Sequence, residues 1–186
     1  DIISSPTTRK AFDLTLEKTV DADHFGKHEF GQSLLLAARL IEAGVHFVTV
    51  RLRPAEFDFD THLDNFSRLR ALLPPFDKGL AALFDRLKQR GLFDETALMV
   101  AGEFGRTPKV NGQGGRDHWA RAMFALMAGG DVQGGQVIGE TDRRAGEPDG
   151  RSYSPEDLAA SFFENIGIDP QHEFQTNVGR PINLIR

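Results

Sequence analysis

The clearest hydrophobic pattern in the chain is FGQSLLLAARLIEAG, where apolar positions recur at helical spacing. Gly44 stands where a C-terminal cap belongs, so a helix is expected over about 31–43. The following VHFVTVRL, 45–52, is β-branched and apolar on both faces, which predicts a strand buried inside a parallel sheet. A polar loop, RPAEFDFDTHLDN, leads into the amphipathic run FSRLRALLPPFDKGLAALFDRLKQRG. Pro74 and Pro75 are expected to kink or break that run, and Gly91 to close it. TALMVAG, 96–102, and MFALMAGG, 123–130, read as two further buried strands. SPEDLAASFFENIGI carries a serine cap, a proline at the first helical position, an acidic first turn and a closing glycine at 167, which together predict a helix. Residues 1–29 are weakly patterned, with SPTTRKAFDLTLEK supplying a short helix.

Strand, helix, strand, loop, strand and helix in this order predict an α/β fold, with a parallel or mixed sheet covered on both faces and one domain over 30–186. In such sheets ligands sit outside the carboxyl ends of the strands. GEFGRTP begins at the end of TALMVA, and DTH follows VHFVTV, so two polar loops are expected to converge on one edge.

Composition narrows the partners. A 186-residue chain with 40% hydrophobic and 26% charged residues is an ordinary globular composition with a sizeable core. A formal charge of -5 with no lysine and arginine cluster argues against nucleic acid. No apolar run reaches the roughly 18 residues of a membrane span. The absence of cysteine excludes disulfides, thiolate metal sites and a cysteine nucleophile. A chain that opens on aspartate is expected to be part of a longer protein.

Three motifs carry candidate chemistry. In DFDTH, Asp60 and His62 offer an oxygen and an imidazole two positions apart, and Asp58 with His62 is a second possible pair. Carboxylate plus imidazole suits zinc, manganese or iron better than calcium; a solvated acidic loop is the alternative. In GEFGRTP, Glu103 at the end of a buried strand requires a cation or Arg106 beside it, and Arg106 is also suited to an oxyanion. In GRDHW, Asp117 and His118 are adjacent, so in regular structure one ligates while the other orients it or a neighbour, and in a glycine-rich loop both can turn inward, with Trp119 as a wall; a surface loop anchored by tryptophan is the alternative. His24 and His28 have helical metal-pair spacing but no apolar frame and a glycine between them, so they read as solvated. His46 reads as a core histidine, and GGDVQGGQVIG as turns. No serine sits in a GxSxG elbow.

FDTH, LLPPFDKGLAALFDRLKQRGLFDET, GEFGRTP, GRDHW, AGGDVQGGQVIGETD, SPEDLAASFFENIGID and the terminal GRPI resemble a large bacterial family of unknown function, related to sulfatases and alkaline phosphatases. The resemblance implies the C-terminal portion of a three-layer α/β/α, mostly parallel, alkaline phosphatase-like domain with divalent metal at the carboxyl ends of its strands. Asp60, His62, Glu103, Asp117 and His118 are the implied metal residues, Arg106 and Arg116 the implied anion-binding ones, and zinc, manganese or calcium the implied ion. Phe104 stands where the superfamily has a histidine, which implies that one metal site is altered or lost. The nucleophile is expected outside this chain. The implied function is part of a metal-dependent hydrolase of small-molecule or glycan phosphate or sulfate esters, inactive alone, in an exported or periplasmic location. The alternative is a non-catalytic module that binds a glycan or a protein. An incomplete domain is also expected to self-associate.

Overall fold

Two adjacent prolines would be expected to end a helix, yet the longest element of this chain runs through both. The structure, a computed structural model, describes residues 5–51 and 58–185. The chain divides into two compact units, the first built from 1–93 with 110–117 and the second from 94–109 with 118–186.

The first unit is helical: α1 (Pro6–Phe12), α2 (Thr19–Phe25), α3 (Glu29–Glu42) and α4 (Asn65–Gln89). Ser5 caps α1 by accepting from the Thr8 amide at 3.1 Å. The helix expected at 31–43 is α3, and α4 contains Pro74 and Pro75 without interruption. Each internal proline costs about 3 kcal/mol and removes an amide donor. Against that cost, α4 buries Leu72, Ala82, Leu83 and Leu87 and packs along α3, which buries Phe30, Leu34, Leu35, Ala37, Ala38 and Leu40. Tertiary burial therefore overrides the local signal. Both helices end as their glycines predict. The amides of Gly44 and Val45 bond Ile41 and Leu40 carbonyls, and those of Gly91 and Leu92 bond Lys88 and Leu87 carbonyls, a Schellman pattern that needs the positive φ found at each glycine.

A charged cluster ties these helices together. The Arg86 side chain, 7% exposed, bonds Glu42 at 2.5 and 3.1 Å and Glu17 at 3.2 Å; Arg39 bonds Glu17 at 2.6 Å and the Ala11 carbonyl at 2.9 Å. Burial pushes the Glu17 carboxyl up, but the hydrogen bond from Arg39 and the charge of Arg86 outweigh it and hold it below the usual carboxylate range.

The second unit contains β1 (Leu98–Ala101), β2 (Gly105–Arg106), β3 (His118–Trp119), β4 (Ala125–Ala128), β5 (Glu140–Thr141), β6 (Pro148–Asp149), α5 (Pro155–Asn165), β7 (Glu173–Gln175) and β8 (Pro181–Asn183). The α5 start is the expected one: the Asp157 amide donates to Ser154 Oγ at 3.1 Å, and the Ser154 amide to Asp157 Oδ2 at 2.7 Å. The glycine-rich 129–139 segment is turns and irregular chain, as expected. Among the described residues of this unit, no hydrophobic side chain is buried.

The mostly parallel, three-layer α/β/α architecture is not what forms. The strands pair only two at a time and antiparallel: β1 with β4, β2 with β3, β5 with β6, β7 with β8. The segments read as buried strands at 96–102 and 123–130 shorten to β1 and β4 and pair with each other, Leu98 opposite Ala128. β1 alternates half-buried and exposed positions, whereas a parallel core strand is covered on both faces. Residues 45–51 form no strand; Leu52 and the start of the following loop lie outside the described residues. His46 is exposed rather than in a core. A short apolar run signals burial or extension without naming its partner, and that is where the expectation failed. No helix among the described residues is long and apolar enough to cross a membrane.

Candidate metal centre

The first unit builds its polar site from the two segments 59–65 and 110–117. Phe59 packs against Phe30 and Phe76, with ring centroids 6.0 and 6.2 Å away, and Thr61 is 1% exposed with its hydroxyl donating to Asn65 at 2.5 Å. The segment turns tightly, with the Thr61 amide bonding the Phe59 carbonyl and the His62 amide the Asp60 carbonyl. Asp60 is exposed and His62 half-buried. The 110–117 loop zips onto this segment: the Arg116 amide donates to the Thr61 carbonyl at 2.9 Å, Asp64 to Gln113 at 3.2 Å and Asn65 to Gly114 at 3.0 Å, with Leu63 bridged antiparallel to Gly114.

This docking brings Asp60, His62 and Asp117 together. His62 Nε2 lies 3.0 Å from Asp60 Oδ1, and its Nδ1 lies 2.8 Å from Asp117 Oδ1. The ring is thus held between two carboxylates, one at each nitrogen. Asp117 then stands as the carboxylate that fixes the ring.

His118, the next residue along the chain, belongs to the second unit and is exposed. In its own unit His118 lies in β3 opposite Arg106 of β2, and its ring is 4.5 Å from that of Phe104, tilted by 50°. Phe104 thus packs on a residue that the sequence marks as a candidate ligand. Glu103 is exposed in the bend after β1, so the burial that would have demanded a cation beside it does not arise. Trp119 donates to the Gly146 carbonyl at 2.5 Å, and the Arg121 guanidinium lies 5.5 Å from its ring centroid. Arg116 is half-buried with its guanidinium 5.7 Å from the Phe66 ring centroid.

His24 and His28 belong to different elements, so they make no helical pair. His24 is exposed 3.2 Å from Asp85, as a solvated residue would be, whereas His28 is half-buried and caps α3 by accepting from the Gly31 amide at 3.0 Å.

Sequence reasoning missed Asn111. Its amide bridges the two segments, donating to the His62 carbonyl at 3.0 Å and lying 3.3 Å from both Asp117 oxygens. The signal was present in NGQGG, an asparagine set to close a turn on its own backbone. Gly115 is equally required, because a Cβ there would collide with the His62 carbonyl.

Fold and site together define a two-unit α+β chain whose helical part carries a histidine held between carboxylates. The chain belongs to the family described as "Protein of unknown function (DUF1501)", which matches residues 4–186. No curated protein and no solved structure matches it.

Proposed function

We propose that this chain carries the metal site of a divalent-metal-dependent hydrolase acting on phosphate or sulfate esters. Asp60 and His62 are the ligands, and Asp117 orients His62. The observation that carries this reading is the His62 imidazole, with Asp60 at Nε2 and Asp117 at Nδ1. Carboxylate and imidazole donors favour zinc or manganese over calcium. The ion would polarise the ester oxygen and stabilise charge developing on it. Arg116, in the same unit as Asp60 and His62, is the cation assigned to the oxyanion.

Phe104 favours a second reading. Its ring packs on His118 at 4.5 Å, and an aromatic neighbour adds no ligand, which suits a structural ion in a binding module for a glycan or a protein.

Elemental analysis after dialysis against zinc and manganese tests the site, with Asp60→Ala and His62→Ala alongside. Stoichiometric metal in the native chain, lost in both variants while the helical signal is kept, is the expected result. A native chain that takes up no metal overturns it. Metal without hydrolysis of p-nitrophenyl phosphate or sulfate, in the longest chain that contains this one, selects the binding module.

A further inference from the structure

We infer that Asn111 is the positioning residue of this centre: its side-chain amide sets the rotation of the Asp117 carboxylate and, through it, of the His62 ring. The inference rests on the reading of Asp60 and His62 as metal ligands.

Every hydrogen-bonding capacity of the Asn111 amide is used. Oδ1 accepts from the Gln113 amide at 3.0 Å and the Gly115 amide at 2.9 Å, so it closes the turn of its own loop. With the oxygen fixed on two N–H groups, the NH2 has to face the other way. There it meets the His62 carbonyl at 3.0 Å and both Asp117 oxygens at 3.3 Å. Asn111 therefore grips His62 at two ends, by its backbone directly and by its ring through Asp117, whose Oδ1 is 2.8 Å from Nδ1.

A carboxylate needs such a grip here. The Asp117 side chain is 53% exposed, and the terminal torsion of an aspartate is broad and two-fold. An NH2 centred on both oxygens defines that plane. Being neutral, it does so without cancelling the negative charge that His62 uses, as a lysine or arginine in its place would. The loop lies flush enough for this reach because Gly115 has no Cβ to strike the His62 carbonyl. With a metal on Nε2, the Nδ1 proton points at Asp117, and a well-oriented carboxylate makes the ring a better ligand.

The test is zinc titration against a chromophoric chelator, using the 186-residue chain as wild type, Asn111→Ala, Asp117→Ala and the double variant. Loss of an orienting partner of this kind typically weakens metal binding about 10- to 100-fold. The expected result is a loss in that range for Asn111→Ala which largely disappears in the Asp117→Ala background, because Asn111 acts through Asp117. Wild-type affinity in Asn111→Ala overturns the inference, and so do losses that simply multiply in the double variant. Nitrogen-15 shifts of the His62 ring at pH 8 supply a readout that needs no metal. Asn111→Ala is expected to depopulate the Nδ1–H tautomer, and an unchanged ring overturns the inference. A wild type that binds no zinc instead overturns the metal reading, and the ring shifts then decide the role of Asn111 separately. If Asn111→Ala does not fold, Asn111→Ser keeps an acceptor for the turn and removes the amide, with the same losses expected.

Discussion

Replacing Glu17 with glutamine removes one negative charge from the middle of the helical unit and little volume. Its carboxylate is 6% exposed and sits 2.6 Å from Arg39 and 3.2 Å from Arg86, which is itself 7% exposed. At an effective dielectric of about 20, each charge pair separated by about 4 Å contributes roughly 4 kcal/mol. Desolvating the carboxylate costs several kcal/mol, which offsets part of that sum. Losing one partner of a buried pair typically costs 3–5 kcal/mol. Glutamine keeps one acceptor oxygen, so about 3 kcal/mol is expected for Glu17→Gln. Urea unfolding followed at 222 nm reads this unit, because α1 to α4 hold 7, 7, 14 and 25 residues against 11 in α5. With a slope of roughly 1.5 kcal/mol per molar, the midpoint falls by about 2 M. The pH dependence follows from the carboxyl being held below its ordinary value. Its contribution is present above the unfolded value of about 4.3 and is lost as pH falls through the folded value. The gap between wild type and Glu17→Gln therefore closes below about pH 4. A cost under about 1 kcal/mol at pH 7, or a gap unchanged at pH 2.5, would refute the reasoning.

Two further outcomes follow from the same geometry. Burial first, and the charge of Lys78 second, hold the His28 imidazole below its ordinary range, and the protonated ring cannot accept from the Gly31 amide. Its contribution is present above about pH 6.5 and is lost as pH falls through its lower folded value. Wild type is thus expected to lose stability on acidification relative to His28→Asn, which caps without titrating; parallel curves from pH 7 to 5 would contradict this. Gly115→Ala is expected to separate the 110–117 loop from His62 and to speed hydrogen exchange at the Arg116 amide, leaving helical content intact; unchanged protection at Arg116 would show that the loop absorbs the methyl group.

The ends of several helices were legible because their signals are local. Ser154 with Asp157, and the glycines at 44, 91 and 167, each satisfy backbone groups within one turn, and sequence order alone places them there. The DFDTH pairing was legible for a similar reason: Asp60 and His62 lie two positions apart. The contribution of Asp117 to His62 was not. It spans 55 positions and depends on the 110–117 loop lying on the 59–65 segment. Asn111 escaped notice because a turn-forming asparagine is locally ordinary, and only its second set of bonds, across to His62 and Asp117, gives it a larger role.

By itself, the sequence determined the glycine ends of α3 and α4, the serine start of α5, which chemistry is available, and which family the chain joins. The tertiary structure decided three things that range over long separations. It carried α4 through Pro74 and Pro75, because burial against α3 outweighs two lost amide bonds. It paired β1 with β4 antiparallel instead of building a parallel sheet, because an apolar run fixes no partner. And it set a carboxylate at each nitrogen of His62, because hydrogen bonds and charge act across space, where distance along the chain carries no information.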